Sequence, residues 1–153
     1  MQHRKTLHIL LVEDDEVDAE VIIRGFQRQG FEPVITLARN GQEALTLLRD
    51  PQTLRRIGLP HIILTDMNMP VMNGLELFQA LRRDPNLRRS IVFVLSGSAL
   101  GADRHAAYAQ HIAGYLLKSA LEKNFPQMIC LLECYSSLIE FPPDLNVPSV
   151  AEA

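Results

Sequence analysis

The sequence predicts an α/β protein: five β-α units folded into one doubly wound, five-stranded parallel sheet of order 2-1-3-4-5. Three observations lead there. Short continuous apolar runs alternate, five times, with segments whose apolar residues recur at helical spacing. Two of those runs, Ile9-Leu10-Leu11-Val12 and Ile62-Ile63-Leu64-Thr65, stop abruptly on acid, at Glu13-Asp14-Asp15 and at Asp66. The length of 153 residues suits one domain that buries about two thirds of its unfolded surface.

Each element has its own signature. Leu7 to Val12 is apolar apart from His8, as expected of a strand covered on both faces. Asp15 is a plausible N-cap for a helix in which Ala19, Ile22, Ile23 and Phe26 repeat up to Gly30. Pro33 to Leu37 reads as the second strand. Asn40-Gly41 then precedes a helix with Ala44, Leu45 and Leu48 on one side, which Asp50-Pro51 ends. Residues 51–60 read as a polar loop, longer than most helix-to-strand connections.

The third strand is His61 to Thr65. Gly74, Leu77, Phe78 and Leu81 mark a third helix that stops at Asp84-Pro85. Ile91 to Leu95, rich in β-branched residues, is the fourth strand. The fourth helix, around Ala102 to His111, carries mostly alanines and Tyr108, so it should pack thinly. Tyr115-Leu116-Leu117 forms the fifth strand. The fifth helix is expected from Asn124, with Pro126 in its first turn. Met128, Leu131, Leu132, Tyr135 and Leu138 would cover the sheet, which leaves Ile129, Cys130 and Cys134 facing a second covering surface.

Composition excludes several classes. A net charge of −3 and short, scattered pairs (Arg55-Arg56, Arg82-Arg83, Arg88-Arg89) argue against a nucleic-acid surface and place those arginines on solvated faces. No stretch approaches the roughly 18 apolar residues that span a bilayer, and the run after Arg4 and Lys5 is too short for a signal peptide. A cytoplasmic protein is expected. Cys130 and Cys134, one turn apart, read as packing residues rather than a redox pair, and the five histidines lack the spacing of a zinc helix.

In a parallel sheet of order 2-1-3-4-5, ligands bind where the winding reverses, beyond the carboxyl ends of strands 1 and 3. Those are the strands that end in Glu13-Asp14 and Asp66. Like charges at about 4 Å repel by about 4 kcal/mol at an effective dielectric near 20, so such crowding calls for a hard cation such as Mg2+ among the oxygens.

With Glu13-Asp14 after strand 1, Asp66 after strand 3, Ser96 after strand 4 and Lys118 after strand 5, the chain resembles the receiver domains of two-component response regulators, a CheY-like family with the flavodoxin-like fold. The likeness covers residues 7 to about 140; the separations of 30 residues (96 − 66) and 22 residues (118 − 96) are usual for it. The resemblance implies that Asp66 is the phosphoacceptor, attacking the phosphorus of a phosphohistidine. Glu13, Asp14, Asp66 and the backbone carbonyl of Asn68 would hold Mg2+, with Glu13 acting through water. Lys118 would contact a phosphoryl oxygen, and Ser96 would hydrogen-bond the phosphoryl group, with Tyr115 following as a switch. Pro70 would shape the acidic loop and Gly74 permit close backbone approach. Ser119 departs from the pattern, since most receivers carry a proline there, usually with a cis bond; a trans bond is expected here.

Lys118-Ser119, the long segment after the second helix and the tail Glu140-Phe141-Pro142-Pro143-Asp144 resemble, more narrowly, the small stand-alone regulators paired with bacterial phytochrome-type histidine kinases. The implied organisation is a response regulatory domain over 1–140 and a C-terminal extension over 141–153, too short for an output domain. The implied partners are a sensor histidine kinase and a downstream protein or phosphotransfer partner. Phe141, Pro142, Pro143, Leu145 and Val147 would form an arm in a homodimer built on strand 5 and helix 5.

Other readings fare less well. A receiver-like binding module that is not phosphorylated would be favoured by loss of Glu13, Asp14, Asp66 or Lys118, and all are present. An aspartyl-phosphate hydrolase needs a second Asp two residues after the nucleophile, where this chain has Asn68. A flavin carrier needs a phosphate loop after strand 1, where the acids would repel phosphate.

Overall fold

A computed structural model describes residues 6–142. Five parallel strands, β1 (His8–Val12), β2 (Val34–Ala38), β3 (Ile62–Thr65), β4 (Val92–Ser96) and β5 (Gly114–Leu117), form one sheet in the order β2-β1-β3-β4-β5. Six helices connect and flank them: α1 (Glu16–Arg28), α2 (Gly41–Arg49), α3 (Pro51–Ile57), α4 (Gly74–Arg83), α5 (Gly101–Ala109) and α6 (Lys118–Leu138). This is the doubly wound parallel sheet, in the order expected from the sequence.

Alternation along the strands divides the interior. Ile9, Leu11, Ile62 and Leu64 face Ala19, Ile22 and Phe26 of α1 and Met128, Ile129 and Leu132 of α6. Leu10, Val12 and Ile63 face the other way, onto Leu45 and Leu48 of α2, Leu77, Phe78 and Leu81 of α4 and Ala107 of α5. With both faces covered, the central strands are apolar throughout, which is why they read as continuous runs. Among the described residues no helix is long and apolar enough to cross a membrane.

Register sets the position of the site. Val12 pairs with Thr65, Thr65 with Val94, and Ser96 with Leu117. The four strands therefore end along one edge, and Glu13, Asp66 and Lys118 leave the sheet beside Ser96, the last residue of β4.

Four expectations are corrected. Residues 51–57 are helical, not loop: Asp50 ends α2 and also caps α3, accepting from the Gln52 N–H at 3.1 Å and the Thr53 hydroxyl at 2.6 Å, with Pro51 in the first turn. The last helix starts at Lys118 rather than near Asn124; Asn124 is a non-helical kink (φ −126°, ψ 30°), after which Pro126 falls in the first turn of the second segment. That segment presents Met128, Ile129 and Leu132 to the core; Cys130 and Cys134 lie on the uncovered face as expected and do not pack within the described residues, but Ile129 is buried and Leu131 and Leu138 are exposed, so that face is rotated from the expected one. A helix apolar nearly all round has no contrast from which its phase can be read.

Arg82 is the fourth. Its guanidinium donates to the carbonyls of Gln110 (2.7 Å), Arg88 and Ser90 (both 2.8 Å) and His111 (2.9 Å), tying the end of α4 to the segments that enter β4 and β5. A planar group with five donors suits a cluster of carbonyls as no ammonium could. The thin packing expected of the fourth helix is found in α5, where Ala107 is the buried residue. Of the expected arm, Phe141 packs on its own chain, 5.0 Å from the His61 ring and 5.9 Å from the Tyr135 ring; Pro143, Leu145 and Val147 lie outside the described residues.

Candidate functional site

The residues immediately beyond the carboxyl ends of β1, β3, β4 and β5 assemble the site. Leaving β1, the chain places Glu13 in the interior and Asp14 in solvent, then starts α1 under the Asp15 cap, whose carboxylate accepts from the N–H groups of Val17 (2.9 Å) and Asp18 (3.2 Å). Asp15 thus caps the helix, as its position in the acidic run suggested. Leaving β3, Asp66 is held by its own loop: Oδ1 accepts from the Met67 N–H at 2.7 Å and the Asn68 N–H at 3.4 Å. Gly74 closes this loop by donating its N–H to the Met67 carbonyl at 2.8 Å; a Cβ there would sit 2.7 Å from the Asp66 carbonyl oxygen. Only glycine permits that approach. Val71, at the tip of the loop, holds φ at +68° with its side chain in solvent.

One carboxylate oxygen from each of Glu13, Asp14 and Asp66 lies within 4.8 Å of the others. Lys118, the first residue after β5, reaches into this cluster. Its Nζ lies 2.9 Å from Glu13 Oε2, 2.9 Å from Asp18 Oδ2 and 3.3 Å from Asp66 Oδ2. Burial opposes the charge on Lys118, but hydrogen bonds to Asp18 and Glu13 and the field of Asp66 outweigh it, so the amine is held above its ordinary value. Glu13 is pushed the other way for a carboxyl: desolvation, with a contribution from the Asp66 charge, carries it up to about 7 despite hydrogen bonds from Lys118 and the Asp15 N–H.

Ser96 ends β4 fully buried, and its hydroxyl oxygen accepts from the Ser98 N–H at 3.0 Å. Tyr115, half-buried on the edge strand, donates its hydroxyl to the Ser98 carbonyl at 2.9 Å, and the Ser98 hydroxyl donates to Asp103 at 2.6 Å. The β4–α5 loop is thereby fastened to β5 on one side and to α5 on the other. The bond between Lys118 and Ser119 is trans; no cis peptide occurs among the described residues.

The sequence-predicted residues Glu13, Asp14, Asp66 and Lys118 therefore meet in one cluster, Asn68 adjoins it through its backbone, and Ser96 and Tyr115 border it on the next two strands. Asp18 escaped the sequence reading. Its signal was positional: a helix that starts directly after the acidic run turns its first-turn residues back toward that run.

The donor set fits a hard divalent cation. Four carboxylates (Glu13, Asp14, Asp18, Asp66) against one ammonium leave 4 − 1 = 3 negative charges when all are ionised, and the ligand atoms are oxygen alone. Both Glu13 oxygens are already engaged, Oε1 by the Asp15 N–H and Oε2 by Lys118, whereas Asp14 is exposed.

The sequence model of the response regulator receiver domain matches residues 9–129. The chain belongs to that family. Among similar receivers, a probable methanogenesis regulatory protein, FilR2 of Methanothrix harundinacea, is 38% identical over 110 residues, 72% of this chain and 70% of its own. The crystal structure of the phosphorylated cyanobacterial phytochrome response regulator RcpA superposes with a TM-score of 0.77 at 28% identity, covering 91% of this chain and all of that one. The Mn2+-bound form of response regulator Rcp1 superposes with a TM-score of 0.75 at 28% identity, covering 90% and 99%. This receiver is thus similar both to regulators associated with phytochromes and to one that holds a divalent metal.

Proposed function

We propose that this receiver is a single-domain response regulator that accepts a phosphoryl group on Asp66 from a sensor histidine kinase and signals by binding other proteins. The observation that carries this is the convergence of Asp66 Oδ2 with the Lys118 ammonium, 3.3 Å away, beside the Glu13 and Asp14 carboxylates. In the transfer, an Asp66 oxygen bonds to phosphorus as the bond from phosphorus to the kinase imidazole breaks; the imidazole leaves with the electron pair and takes up a proton. Asp66 Oδ1 is engaged by two backbone N–H groups, which leaves Oδ2, the oxygen beside the Lys118 ammonium, for this role.

Asp14, Asp66 and the Asn68 carbonyl would ligate Mg2+ directly, with Glu13 acting through water. When bound, that ion supplies positive charge against the phosphoryl oxygens. Lys118 moves from its acidic partners to a phosphoryl oxygen, and the buried Ser96 hydroxyl turns its proton toward the same group. Ser96 then draws the β4–α5 loop inward, and Tyr115 releases the Ser98 carbonyl, shifting the population of two states. The chemistry of these residues is confined to gaining and losing this one phosphoryl group.

The likeness to phytochrome-associated regulators supports a bacteriophytochrome as the kinase and a cytoplasmic location. The receiver unit spans 1–140, and 141–153 is an extension. A homodimer through β5, α6 and this extension is supported by the uncovered apolar face of α6, where Leu138 is 80% exposed beside Cys130, Leu131 and Cys134. Truncation after Glu140 should lower the sedimenting mass, and an unchanged mass rules the dimer arm out.

The deciding experiment incubates the protein with Mg2+ and phosphoramidate and reads intact mass. Wild type should gain one phosphoryl group and Asp66→Asn none. Labelling that persists in the variant places the acceptor elsewhere.

A further inference from the structure

Lys118 is not centred on Asp66. Its ammonium sits 2.9 Å from Glu13 and 2.9 Å from Asp18, and 0.4 Å farther from Asp66, at 3.3 Å. Glu13 is buried and held by the Asp15 N–H, so its position is fixed by β1. Asp18 is different. It stands on the first turn of α1 with its side chain 43% exposed, and its backbone is fixed by the Asp15 cap while its carboxylate is committed to the lysine. It lies outside the three carboxylates whose oxygens converge in the cation cluster, and it adds to the charge there only through its pairing with Lys118.

We propose that Asp18 is a positioning residue that holds Lys118 in a resting place toward α1, so that phosphorylation of Asp66 must first break the Asp18–Lys118 pair. The inference rests on the phosphoacceptor reading. Lys118 has one flexible stem and three donors, and with Glu13 and Asp18 engaged the third is directed at Asp66 at the longest of the three distances. A phosphoryl group on Asp66 brings oxygens that compete for the same ammonium. Every contact made by Asp18 in the resting protein therefore raises the cost of reaching the transition state, without adding to it there. Half-exposed pairs are weak, so the restraint is modest, equivalent to a rate change of roughly two- to fivefold.

The test is the rate of labelling by phosphoramidate at saturating Mg2+, for wild type, Asp18→Asn, Asp18→Glu and Glu16→Gln. Asp18→Asn keeps the shape and the capped N–H but removes the charge; it should label about two- to fivefold faster. Asp18→Glu restores the charge and should return the rate toward wild type. Glu16→Gln removes an equal charge from the same helical turn, at an exposed position without contact to Lys118, and should leave the rate unchanged. A rate for Asp18→Asn equal to or below wild type overturns the inference. Equal acceleration in Glu16→Gln also overturns it, since the effect would then be the general field of α1. Absence of labelling in wild type itself defeats the phosphoacceptor reading and this inference with it.

Discussion

Replacing Arg82 by alanine should destabilise the protein by about 2–3 kcal/mol without touching the acidic site. The four carbonyls that its guanidinium serves are not equal. Those of Arg88 and His111 are exposed and can turn to water, whereas those of Gln110 and Ser90 are partly buried. A bond from a charged donor to a partly buried carbonyl contributes roughly 1–1.5 kcal/mol net, after allowance for residual water access. Two such bonds give the stated figure. For a chain of this length the melting midpoint should fall by roughly 4–12 °C. Arg83, one residue on and exposed, should change stability by no more than about 0.5 kcal/mol when replaced by alanine. Arg82→Lys should recover less than half of the loss, because one ammonium cannot reach carbonyls from two separate segments at once. The measurement is urea denaturation of the three variants beside wild type. An Arg82→Ala protein that unfolds within the range of Arg83→Ala would show that these bonds merely replace equivalent bonds to water.

Val71→Gly should stabilise the protein by about 1 kcal/mol: a β-branched residue at φ +68° is strained, and its side chain, 80% exposed, contributes no packing to offset that; equal or lower stability in urea refutes this. In metal-free protein Glu13 titrates near 7 against an ordinary 4.5, so the folded state binds the proton more tightly than the unfolded state does. Its stabilising effect is complete below about pH 4.5 and disappears as pH rises through 7, a loss of up to about 3 kcal/mol from this group. Saturating Mg2+ should flatten that dependence, and an unchanged slope in denaturation series with and without the ion contradicts it.

Much of this architecture is legible in one dimension because of where the buried strands stop. Leu10 to Val12 and Ile62 to Thr65 are covered on both faces, so they are apolar up to the sheet edge and polar one residue later; the acids mark the edge itself. What escaped depends on three dimensions or on weak contrast. Helix α3 has too few apolar residues to show a period, and its only mark, Asp50-Pro51, serves as both the end of one helix and the start of the next. Arg82 resembles its neighbours in sequence, and its role arises only where the entries to β4 and β5 gather carbonyls around it. Asp18 stands in the first turn after the Asp15 cap, but its partner Lys118 is 100 residues away in the chain, a contact that only the folded sheet brings about.

Gly74 has a bearing on how any signal can travel. With its backbone pressed against the Asp66 and Met67 main chain, α4 packs tightly on the Asp66 loop, and Arg82 anchors its far end. Displacement on that flank would have to drag a helix with three large buried side chains. Its neighbour on the same face of the sheet, α5, offers far less resistance, since one alanine, Ala107, is its buried residue. On the proposed reading, a change at Asp66 is taken up first by the β4–α5 loop and by α5, while α4 keeps its place.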